Sequence, residues 1–186
     1  FLATYVFATK FNIDLTYNLG LFYFGSEYFH PYQLITHMFM HGNFMHIFSN
    51  MFALWMFGSA IENIWGSKRF AFYYFFTGLG AAALHLFISW YRFHGLEHAI
   101  LAYKNSPSPE TFAYIIVHHF PDYQLQLNEF ISQWSLYRTD PGFVTESFRF
   151  LDHQYLMQIN IPTVGASGAV FGLLLAFGMM FPNALI

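Results

Sequence analysis

Three polar residues in an otherwise apolar chain have the types and spacing for acyl transfer. Ser167 stands in the string Gly165-Ala166-Ser167-Gly168, and His46 and Asn50 lie four residues apart in a run free of formal charge. A serine hydroxyl attacks a carbonyl once a base takes its proton. The oxyanion that develops needs donors already in position, and imidazole, carboxamide and backbone N–H groups all qualify. His46 serves as base or as donor, because its place on one helical face with Asn50 suits a donor pair equally well. A helix beginning beneath Ser167 would add free N–H groups and a favourable dipole. His37 and His41, also four apart, are expected to be partners for the preceding connection.

These residues need elements to carry them, and the charge distribution shows which. The chain has 186 residues, 56% of them hydrophobic, 23% aromatic and 9% charged, with net charge −3. Soluble domains carry about a quarter charged residues. So apolar a composition excludes a disordered chain, and the absence of a basic footprint argues against a nucleic-acid partner. Without cysteine there is no disulfide, no thiolate zinc site and no thiol nucleophile. Eleven of the charges fall between Arg92 and Asp152. The stretches 32–61, 70–91 and 153–186 contain no Asp, Glu, Lys or Arg. A span needs about 20 apolar residues, and a charge at its centre costs about 2.5–3.5 kcal/mol. The expected fold is therefore all-α, a polytopic transmembrane helix bundle, rather than a soluble protein with buried helices.

Four spans are expected: one ending near Phe11, then Leu34–Ile61, Phe70–Tyr91 and Val164–Phe181, with Pro182 and Asn183 as the stop. The opening FLATYVFATKF reads as the last part of a span and FGMMFPNALI stops in an apolar region, so a piece of a larger polytopic protein is expected. The connection from Asn12 to Tyr32 is rich in Tyr and Phe, which suits the membrane interface. Lys68 and Arg69 place the turn between spans two and three in the cytoplasm. Residues 92–161 are then an outer, helical extramembrane insert, broken at SPSP and TDPG, within a single membrane domain over 1–186. The run Gly78–Ala83 and the stripe Gly165, Gly168, Gly172 and Ala176 would allow close helix packing.

Depth is a further constraint on the polar sites. His46 is 16 residues above Glu62, about 24 Å at 1.5 Å per residue, and Ser167 is 15 above Pro182, about 22 Å. Helices of similar tilt would bring the two sites to one level.

The segment HGNFMHIFSNMFALWMFGSAIENIWGS resembles the second transmembrane helix of rhomboid intramembrane serine proteases, and GASGAVFGLLLAF resembles their nucleophile helix. The resemblance implies Ser167 as nucleophile in a turn flanked by Gly165 and Gly168, with His46, Asn50 and the Ser167 N–H stabilising the oxyanion. It also implies that His41 belongs to the same motif and that Glu62 helps anchor the fold. In that family the base is a histidine on the sixth span, beyond these residues, so the fragment alone is expected to be inactive. Many bacterial members carry Trp-Arg where this chain has Tyr32-Gln33, and compact members have a shorter insert. The implied activity is serine endopeptidase cleavage of transmembrane substrates in the lipid bilayer, in a bacterial cytoplasmic membrane, with no cofactor and no metal. Two rivals are an inactive rhomboid-like protein that binds transmembrane clients and a His-rich metal transporter, the latter suggested by the His37/His41 spacing.

Overall fold

The computed structural model describes Lys10 and residues 14–183. The span expected to end near Phe11 lies outside the described residues apart from Lys10. Every described element is helical, and an isolated antiparallel bridge joins Leu21 to Thr163. The chain divides into two units, residues 1–88 with 160–186, and residues 89–159.

In the first unit the connection begins with α1 (Leu15–Leu19), capped by Asp14, whose carboxylate accepts from the Thr16 N–H at 2.8 Å. A short α2 (Gln33–Thr36) runs into a 3₁₀ turn, His37–Phe39. The expected second span starts later than its composition suggested, as α3 (Phe44–Ala53), a π turn (Leu54–Gly58) and α4 (Ser59–Trp65). Asn43 is extended, at φ −155°, and its side chain accepts from the His46 N–H at 2.8 Å. That cap sets the helix start, because one of the free N–H groups of the first turn is satisfied there. His37 and His41 therefore precede the helix and do not share a helical face.

The third expected span is much longer than Phe70–Tyr91. α5 runs unbroken from Ser67 to Asn105 because no proline interrupts it before Ser106-Pro107. The fourth is shorter: α9 covers Ser167–Met180, as residues 164–166 are held outside the helix. Its 14 residues extend about 21 Å, less than the ~30 Å hydrocarbon core. Phe44–Trp65 and Ser67–Asn105 are long and apolar enough to cross a membrane. Along α3, Phe44, Phe48 and Phe52 stack at successive turns and stay 65%, 53% and 46% exposed. An apolar face left so open belongs against lipid rather than in a soluble core.

Gln33 holds the connection in shape. It is fully buried; its Oε1 accepts from the His30 and Phe22 N–H groups at 3.0 and 3.4 Å. Its Nε2 donates to the Tyr28 and Asn18 carbonyls at 2.9 and 3.4 Å. One carboxamide thus satisfies four main-chain groups of an irregular segment that has no ladder to satisfy them. Thr36 Oγ1 donates to the Leu19 carbonyl at 2.7 Å and ties the two short helices together.

The second unit contains the end of α5, α6 (Pro109–His119), a 3₁₀ turn (Pro121–Tyr123), α7 (Gln124–Leu136) and α8 (Pro141–Ile159). The breakers act as the sequence suggests: Ser108 forms a capping box with Thr111, and Pro109 and Pro141 open helices. Its core is aromatic. Phe112 packs on Tyr103, Phe130, Trp134 and Phe150. The buried Ser147 hydroxyl pairs with Tyr103 and donates to the Val144 carbonyl, so the polar atoms inside are satisfied. Lys104–Asp152 and Arg138–Glu110 pair at the surface. The Glu110 carboxyl is held below the ordinary carboxylate range by its own N–H in the first turn and by Arg138.

Replacing Gln33 by Leu removes all four side-chain hydrogen bonds and leaves buried main-chain groups unpaired. The expected loss is about 1–3 kcal/mol, read as a lower thermal midpoint of the protein in detergent. An unchanged midpoint would contradict this role.

Candidate active site

The segment leading to Ser167 is fixed by main-chain hydrogen bonds on both sides of its turn. Leu21 and Thr163 exchange N–H···O bonds of 2.9 and 2.8 Å, and the Gly165 N–H donates to the His37 carbonyl at 2.9 Å. Gly165 adopts φ +124°, a conformation that side-chain-bearing residues rarely take. It is also crowded: a Cβ there would stand 2.7 Å from His46 Cε1 and Nε2 and 3.7 Å from Ser167 Oγ. The imidazole edge of His46 therefore lies directly against the turn that carries the serine. Only glycine has both the dihedral freedom and the space.

Gly165 does its work in this turn and is not part of the helical small-residue stripe expected from spacing. The stripe itself starts at Gly168. A Cβ on Gly168 would meet Ala81 Cβ at 2.5 Å, and one on Gly172 would meet Thr77 Cβ at 2.5 Å. α9 thus packs on α5 with almost no side chain between them, and Tyr73 Oη donates to the Gly172 carbonyl at 3.0 Å. Ser167 is the first residue of α9, and no side chain caps that helix start. Its first N–H groups and the positive end of its dipole are left for whatever sits beside the serine.

His46 and Asn50 do lie one turn apart on α3. Asn50 is 5% exposed, and its Nδ2 has no hydrogen-bond partner among the described residues. An unsatisfied buried donor costs about 1–3 kcal/mol. The His41 and His46 rings meet edge to face with centroids 5.3 Å apart, and neither ring nitrogen of His41 has a partner among the described residues. His37 differs from its neighbours. Its Nδ1 donates to the Gln33 carbonyl at 2.8 Å, which leaves Nε2 of the neutral ring as the acceptor.

A cavity of about 200 Å³ opens beside the serine, lined by His37, Met38, Gly78, His85, Gly165 and Ser167 among others. His85 Nε2 pairs with Thr163 Oγ1 at 2.9 Å, linking α5 to the segment before the turn. Sequence reasoning missed His85, Gln33 and Asn43. Signals were present: a lone histidine in an uncharged helix, and a Gly-Asn pair ahead of an apolar run. The helical His37/His41 metal pair is ruled out by geometry, since a turn and the extended Met40 separate the two residues.

Residues 28–105 match the family model of the Rhomboid domain. Rhomboid-like protein 11, chloroplastic, of Arabidopsis thaliana is 42% identical over 50 residues, 27% of this chain and 18% of that protein's length. No solved structure matches the chain. The Rhomboid-domain match and the two helices long and apolar enough to cross a membrane support a membrane protein; a bacterial membrane finds no support in a chloroplastic plant relative. The matched segment, less than half of the chain, carries His46 and Asn50, and over that segment the chain is similar to the Rhomboid domain.

Proposed function

We propose that this protein is an intramembrane serine endopeptidase in which Ser167 is the nucleophile. The observation that carries the proposal is the contact of the His46 imidazole with the Gly165 turn, two residues before Ser167, which supports His46 as a donor at that site. In the proposed step, Ser167 Oγ attacks the peptide carbonyl of a locally unwound transmembrane substrate. Its proton passes to a histidine base outside residues 1–186, and the carbonyl oxygen becomes an oxyanion. His46, Asn50 and the Ser167 N–H donate to that oxyanion. The unspent Asn50 donor supports this role, because a buried amide with no partner gains most when charge develops beside it. Gly165 and Gly168 have separate tasks, the first shaping the turn and the second admitting α5. Residues 92–161 are proposed as an extramembrane insert on the outer side whose task is to cover the site or bind substrate. No cofactor enters the step.

The short α9 gives this chemistry a reason to happen inside the membrane. A helix of about 21 Å is shorter than the ~30 Å hydrocarbon core, so one anchored at an interface by its far end would start within the hydrocarbon. Its first residue is the serine, so water and substrate must come to it.

Ser167→Ala in the full-length protein is expected to abolish cleavage of a model transmembrane substrate while leaving the fold intact by circular dichroism. Retained cleavage would overturn the assignment; a wild-type protein that binds such substrates without cutting them would instead identify the inactive, client-binding rival. Asn50→Ala is expected to lower kcat by about 10²–10³, the usual cost of one oxyanion donor, with little change in KM. An unaltered kcat would remove Asn50 from the site.

A further inference from the structure

We propose that His94 and His98 form a binding site for one divalent transition-metal ion on the exposed face of α5. Both side chains are exposed, and they lie one helical turn apart. Their Nε2 atoms are 3.1 Å from one another, with ring planes at 85° and centroids 4.3 Å apart. Trp90 stacks on His94 at 5.4 Å and 19°, which limits the ring's rotation.

The separation of the nitrogens is the telling quantity. Imidazole nitrogens bind Zn²⁺ at about 2.0–2.1 Å. Two such bonds to one ion, ending 3.1 Å apart, subtend about 98°, between the tetrahedral angle and the right angle of square or octahedral sites. Without an ion the two Nε2 atoms share one hydrogen in an N–H···N bond. On binding, the protonated ring shifts its hydrogen from Nε2 to Nδ1. Both Nε2 lone pairs are then available to the ion, with no net proton lost from a neutral pair. Among the described residues no three His, Cys, Asp or Glu side chains converge, so water completes the coordination. The ligands are neutral nitrogens, a donor set that favours Cu²⁺, Ni²⁺ and Zn²⁺ over Mg²⁺ or Ca²⁺.

The location makes the site accessible. The uncharged run of α5 ends at Tyr91 and Arg92 follows, so the pair lies just past the apolar stretch. On the same helix Leu96 and Ile100 are 1% and 6% exposed and belong to the aromatic core of the second unit. An ion held by His94 and His98 would clip together the turn that carries Leu96.

The test is a ZnCl₂ titration by calorimetry on the full chain in detergent, after removal of metal by chelator. Electron paramagnetic resonance with one equivalent of CuCl₂ provides the second readout. The expected result is one strongest site, weakened roughly 100-fold by His94→Gln and by His98→Gln alike, as loss of one arm of a chelate demands. His118→Gln, outside the pair, is expected to leave it unchanged. The copper spectrum should show coupling to two nitrogens, reduced to one in either variant. Both substitutions are at exposed positions, and circular dichroism would check that they fold. Equal affinity in wild type and both variants, loss in only one of them, or no zinc binding would each overturn the proposal. In the last case the two rings form only a hydrogen-bonded pair.

Discussion

The hydrogen bond from the Gly165 N–H to the His37 carbonyl, 2.9 Å long, is the contact on which the site depends. It stops α9 from starting earlier and turns residues 164–166 toward the irregular chain that precedes α3. Ser167 becomes the first helical residue with its N–H groups uncapped, and the His46 ring can close against Gly165. A helix begun three residues earlier, as composition alone suggested, would have placed Ser167 at the end of the first turn. Its neighbouring N–H groups would then have been spent on internal hydrogen bonds.

Two sets of small residues make that arrangement possible. Gly168 and Gly172 let α9 rest on Ala81 and Thr77 of α5, so the short helix is held by backbone proximity where apolar driving force is weak. Gln33 performs the matching task for the connection, joining four main-chain groups that no regular element satisfies. The Leu21–Thr163 bridge links the connection to the serine segment. His37 sits where these ties meet: its ring holds Gln33's carbonyl and its own carbonyl holds Gly165.

The all-helical architecture was legible because charge avoidance is a global signal: three long uncharged runs in 186 residues leave few alternatives. Breakers at Ser106–Pro109 and before Pro141 were equally plain, since proline and N-cap chemistry act locally. Boundaries governed by polar capping inside apolar sequence were not. Asn43 ends one segment and starts another, yet it sits in a run that hydropathy treats as continuous. α5 erred in the opposite direction: Arg92 looked like a boundary, but charge does not end a helix and the chain continued to Asn105. Among the candidate site residues, the shared face of His46 and Asn50 followed from spacing. The role of Gly165 did not, because a positive φ and a ring at van der Waals distance are tertiary facts.

The central claim is that Ser167 is chemically activated in the folded protein. Treatment of the purified full-length protein in detergent with a fluorophosphonate, followed by peptide mass spectrometry, tests it most directly. The account predicts a single phosphonyl adduct on Ser167 that disappears when the protein is unfolded before treatment. An unlabelled Ser167 in folded protein, or an adduct on another serine alone, would contradict it.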